Sequence, residues 1–132
     1  MTDTPDAPDA AGAPVKPTLR PAPVTIDDFL RLDIRVGTIV AVDPFPQARQ
    51  PAWRLEIDFG PAIGRRRSSA RLTALYGRED LLDRQVAAVV NLPPRRIGPF
   101  DSEVLVLGFP DDGGRVVLIS PERPVPDGGR LY

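Results

Sequence analysis

The chain has 132 residues, enough for one domain and too few for two of ordinary size. Its 42% hydrophobic and 27% charged content is that of a globular protein. No apolar run approaches the ~20 residues of a membrane-spanning helix, so no membrane insertion is expected. Cysteine and histidine are both absent, which excludes disulfides, thiolate chemistry, zinc sites and every His-dependent triad.

The formal net charge of −1 conceals two regions. Up to residue 25, Asp3, Asp6 and Asp9 outweigh Lys16 and Arg20; from residue 26 onward 15 Arg balance 15 Asp and Glu. With a neutral globular part, no global field steers a polyanion in, and any such site must be a local patch. Every cation after residue 25 is arginine. Genome base composition alone can produce that habit, but arginine also supplies the planar fork that grips phosphate.

Residues 1–24 are rich in Pro, Ala and Asp, with too little apolar surface to offset the entropy of ordering them. They read as a disordered tail ahead of a domain over residues 25–132. The tail lacks a basic start and an apolar stretch, so it is no signal peptide, and a cytoplasmic address is expected. Thr25 and Asp28 form a weak capping box, predicting a two-turn helix that ends near Arg31-Leu32, with Ile26, Phe29 and Leu30 on one face. So short a helix must dock against something.

The period then becomes two. Ile34, Val36, Thr38, Val40 and Val42 alternate with Arg35, Gly37, Ile39 and Ala41, and Gly37 suggests a bulge or bend. Trp53, Leu55, Ile57 and Phe59 alternate with Arg54, Glu56 and Asp58 in a half-buried strand. A polar strand follows over Gly64 to Leu72, then a short helix over Leu75 to Leu82 and an apolar strand over Gln85 to Leu92. Strands over Ser102 to Phe109 and Arg115 to Ser120 flank Pro110-Asp-Asp-Gly-Gly114, a strong hairpin signal. Several short strands with a helix between the third and fourth suit an all-β, five-stranded Greek-key barrel of the OB type. A β-sandwich or another small barrel fits the same pattern.

Two polar runs stand out. In a strand, Arg65, Arg67, Ser69 and Arg71 share one face, and guanidinium groups around a hydroxyl can hold backbone phosphates. The same run also reads as a solvated face paired with Glu56 or Asp58 across the sheet. In the second run, Asn91-Leu-Pro-Pro-Arg-Arg96, a double proline stiffens a loop that presents Arg95 and Arg96. Simple turn chemistry explains that run equally, and Ser102 and Glu103 could pair with its arginines structurally. Among the aromatics, Trp53 and Phe59 belong to the core by phase. Phe45 and Phe100 fall in loops, where they line a groove for a peptide or base or pack beneath the loop. Adjacent carboxylate pairs such as Asp27-Asp28 and Glu79-Asp80 point apart, and no Walker or dinucleotide spacing occurs. Neither catalysis nor a cofactor is expected.

The stretches LDIRVGTI (32–39), IDFG (57–60), SSA (68–70), VVNLPPRR (89–96) and SEVLVLGF (102–109) resemble the tRNA-binding domain family. Within it they resemble the CsaA branch of export-related chaperones more than the domains appended to tRNA synthetases. The resemblance spans about residues 26–132. It implies an OB-fold barrel with added terminal strands and a homodimer formed through Ile26–Leu32 and Val116–Tyr132. It also implies tRNA recognition by shape and backbone, with chaperone activity toward unfolded or export-bound polypeptides. By motif position it implies a nucleic-acid face of Arg65, Arg66, Arg67, Ser68, Ser69, Asn91, Arg95 and Arg96.

Overall fold

The computed structural model describes residues 20–132, so the expected tail lies almost wholly outside the described residues. Helix α1 (Ile26–Leu30) starts where the sequence places it. Thr25 Oγ1 accepts from the Asp28 N–H at 3.3 Å, and Asp28 Oδ2 accepts from the Thr25 N–H at 3.2 Å. Both halves of the capping box are present.

Strands β1 (Ile34–Pro44), β2 (Trp53–Asp58) and β3 (Arg65–Ala70) precede helix α2 (Arg78–Leu81). Strand β4 (Gln85–Val89), the hairpin β5 (Arg95–Ile97) and β6 (Phe100–Ser102), β7 (Leu105–Val106), and the hairpin β8 (Gly108–Pro110) and β9 (Val116–Leu118) follow. Five of them form one antiparallel sheet in the order β3-β2-β1-β4-β7. That sheet curls into a nearly closed barrel, the expected OB-type architecture. Closure between β3 and the β6–β7 segment uses backbone and serine together. The Glu103 N–H donates to the Arg67 carbonyl (2.8 Å), the Ser69 N–H to Ser102 Oγ (3.0 Å), and Ser68 Oγ to the Val104 carbonyl (3.0 Å).

Residues 102–109 do not form one strand. The chain changes partner along its length, bonding β3 at Glu103, β4 at Leu105 and Val106, and β9 from Gly108. Ser102 and Glu103 therefore serve the barrel seam. Helix α2 is shorter than expected because the Gly77 N–H turns back to Asp80 Oδ2 (2.8 Å) and starts it there. Its Leu81 is fully buried in the core with Ile39, Leu55, Ile57, Phe59 and Val86.

Strand β1 serves two partners, β4 through Ile34–Thr38 and β2 through Thr38–Pro44. The bulge lies between Ile39 and Ala41 rather than at Gly37. The extra residue reverses the side-chain phase, so Ile39 and Val42 are both buried. Gly37 is needed for a different reason: a Cβ there would stand 2.7 Å from both Ile57 Cγ2 and Phe59 Cδ1. The C-terminal residues strap the open side of β1. The Gly128 N–H donates to the Val36 carbonyl (2.8 Å) and the Leu131 N–H to the Ile34 carbonyl (2.8 Å). Gly128 adopts φ +95° with Phe59 O 2.6 Å from where a Cβ would be, so no other residue fits.

Candidate nucleic-acid interface

Alternation along β3 sorts its polar run onto two sides. Arg65, Arg67 and Ser69 lie outward, while Ser68 and Ala70 are buried. Ser68, expected on the binding face, is fully buried and bonded to Val104, so it belongs to the barrel seam. Arg66 shares the inward register, opposite buried Ile57, with its Nε buried and without a hydrogen-bond partner. It is therefore turned away from its two arginine neighbours.

Asn91 is also placed differently from expectation. Its Oδ1 accepts from the Asp33 N–H (2.9 Å) and its Nδ2 donates to the Arg31 carbonyl (2.8 Å), latching the residues after α1 to the end of β4. Phe45 and Phe100 line no open groove. They are 4% and 6% exposed, their ring centroids 5.2 Å apart in a small second core with Ala52. That packing joins the β1–β2 loop to the β5–β6 hairpin, and neither ring is available to a peptide. Arg54 and Arg67 cover the two rings from outside, at 5.8 and 5.0 Å.

The small aromatic core thus holds together two segments distant in sequence, and Arg67 of β3 lies over it. Between these segments and β3 lies a cavity of about 510 Å³. Arg49 and Gln50 come from the β1–β2 loop, Ser69 and Arg71 from the end of β3, Arg95 and Arg96 from β5. The two polar runs therefore meet in space at one place, where Arg71 Nη1 donates to Gln50 Oε1 at 2.8 Å. The β1–β2 loop and the β4–β7 connection that carries β5 stand where OB barrels place the two loops that grip oligonucleotides. Arg49, Gln47 and Gln50 escaped the sequence reading because a Pro-flanked loop carries no period to aim them.

Ion pairs recur along this face. At its far end Arg65 pairs with Glu56 (3.5 Å), and at mid-strand Arg67 lies 4.0 Å from Glu103. At the cavity, Arg96 reaches Asp101 at 3.2 Å and the Gly98 carbonyl at 2.9 Å. No Asp or Glu lines the cavity itself among the described residues. Exposed ion pairs of this kind are worth only ~0–1 kcal/mol, so a phosphate can displace them. Arg65, though outward and paired with Glu56, does not line the cavity.

Comparison with known proteins points the same way. Residues 34–130 match the family described as "Putative tRNA binding domain". The chaperone CsaA of Bacillus anthracis superposes with a TM-score of 0.79 at 48% identity, covering 84% of this chain and 100% of that one. The CsaA chaperone of Picrophilus torridus gives 0.78 at 43% identity, with 83% and 100% covered. A methionine–tRNA ligase of Thermococcus onnurineus is 35% identical over 108 residues, which is 82% of this chain and 14% of the ligase. The chain thus spans about one seventh of that relative's length.

Proposed function

The chain belongs to the tRNA-binding domain family, and from that premise we propose that it is a CsaA-like binding module that holds tRNA against the arginine-lined face of its barrel. The observation that carries this is the convergence of Arg49, Arg71, Arg95 and Arg96 on one cavity whose lining, among the described residues, holds no carboxylate. Recognition is by shape and backbone, because the deep groove of an RNA helix hides its bases and leaves phosphates and 2′-hydroxyls to be read. The module performs no chemistry of its own, and its address is the cytoplasm, where tRNA is found. No helix among the described residues is long and apolar enough to cross a membrane.

The test is a titration of bulk tRNA across a salt series. Each arginine–phosphate contact steepens the fall of log affinity with log salt by about one. Arg95→Ala/Arg96→Ala is expected to weaken binding and to flatten that slope by about two. No complex at low salt, or an unchanged slope in the variant, contradicts the assignment.

A second reading is a polypeptide-binding chaperone, by likeness to the CsaA chaperones of Bacillus anthracis and Picrophilus torridus. It is supported here by Phe109 and Val117, directly paired across β8 and β9 and 66% and 41% exposed. Aggregation of a denatured client that is suppressed equally by the parent and by Arg95→Ala/Arg96→Ala would favour this reading. Absence of suppression at every stoichiometry removes it.

The proposal extends to a homodimer. Ile26, Leu30 and Leu32 are 69%, 48% and 43% exposed, and no residue of α1 is buried. Arg130 Nη2 donates to the Leu30 carbonyl (2.6 Å), which draws exposed Leu131 and Tyr132 toward the same patch. A second copy supplies the surface that so short and bare a helix needs.

A further inference from the structure

The cavity beside β5 offers more than positive charge. Its floor is apolar, formed by Ala48, Ala52 and Ile97, all packed on the Phe45–Phe100 pair. Gln47 and Gln50 bring two carboxamides to its lining, each carrying both donors and an acceptor. The Gln50 group is held in place by Arg71. At about 510 Å³ the cavity has the size of a small-ligand cleft. Gripping a backbone phosphate needs arginine at a surface, and needs neither an apolar floor nor amide groups.

We infer that this cavity accepts one unpaired nucleotide of the bound RNA, with its phosphate at the arginines, its base over the apolar floor and its base edge at Gln47 and Gln50. This rests on the tRNA-binding assignment and adds to it a site for a single base. A stacked, paired base cannot enter such a cavity, whereas a base from a loop or a single-stranded end can be splayed into it. Carboxamides are suited to a base edge because they match its alternating donors and acceptors. Four arginines in a lining that, among the described residues, holds no carboxylate favour a ligand that carries its own negative charge.

The experiment uses the full chain, ¹⁵N-labelled, titrated separately with the four nucleoside 5′-monophosphates, inorganic phosphate, a short acidic peptide and bulk tRNA. At least one nucleotide is expected to bind about tenfold more tightly than inorganic phosphate, shifting the Gln47 and Gln50 side-chain amides and the Gly98 N–H. Gln47→Ala/Gln50→Ala is expected to weaken that nucleotide about tenfold while leaving phosphate affinity unchanged, since the removed groups are neutral. Equal binding of nucleotide and phosphate, shifts centred elsewhere, tighter binding of the peptide, or an unaffected variant would each overturn the inference. If tRNA binds with its arginine-dependent salt slope and no nucleotide does, this inference falls and the interface stands. If tRNA does not bind either, both fall.

Discussion

Two neighbouring serines show how one step along a strand separates stability from recognition. Ser69 lines the cavity, while Ser68 is sealed inside the barrel with its hydroxyl on the Val104 carbonyl. Ser68→Ala leaves that carbonyl short of a partner, and an unmet buried acceptor costs about 1–3 kcal/mol. Urea unfolding is expected to show a loss of that size with tRNA affinity intact. Full stability in the variant, or lost affinity in a folded one, would show that Ser68 acts otherwise. At this scale the sequence is legible through alternation, which set Arg65, Arg67 and Ser69 on one side. Family likeness works by position along a motif and carries no phase. It therefore gathered Arg66, Ser68 and Asn91 into the same face, although the pleat and a loop latch turn them elsewhere.

Elements follow local chemistry closely where turn residues dominate. The Pro110–Gly114 signal becomes the β8–β9 turn, with the Asp111 carboxylate accepting from the Arg115 and Gly113 N–H groups, both at 2.9 Å. The Arg115 N–H, aided by the Gly113 N–H and by the Arg115 guanidinium at 2.9 Å, holds the Asp111 carboxyl below its ordinary 3.8 against the opposing pull of partial desolvation. A carboxyl lowered in the folded state stabilises it above the unfolded value, and that contribution disappears as pH falls through the lower, folded value. The stability gap between the parent and Asp111→Asn is therefore expected at neutral pH and should close as pH is taken below about 4. Thermal unfolding across pH measures it, and a gap that persists undiminished in acid contradicts the assignment. Elements set by distant partners were less legible. Residues 102–109 read as one strand because their apolar character is continuous, yet three different neighbours divide them. Phe45 and Phe100 read as loop aromatics because nothing local shows that the β1–β2 loop and the β5–β6 hairpin share a core.

At the scale of the whole molecule, charge and apolar surface separate. Arginines gather around the cavity at the β1–β2 loop and β5, while exposed apolar side chains lie on α1, on the β8–β9 hairpin and at the last residues. The proposed dimer presents two arginine faces to one RNA, raising affinity through effective concentration without any new contact. Ile26→Asp/Leu30→Asp is expected to give monomers in sedimentation with the barrel's circular dichroism unchanged, and to weaken tRNA binding more than it flattens the salt slope. A parent protein that is already monomeric removes the dimer from the account. The central claim is that separate arginine-bearing segments form one RNA-binding face, and amide mapping during tRNA titration tests it most directly. Shifts are predicted to cluster in residues 47–52, 67–71 and 95–98, with α1 and the β8–β9 hairpin unmoved. Shifts centred on those two elements instead, with the cavity silent, would contradict it.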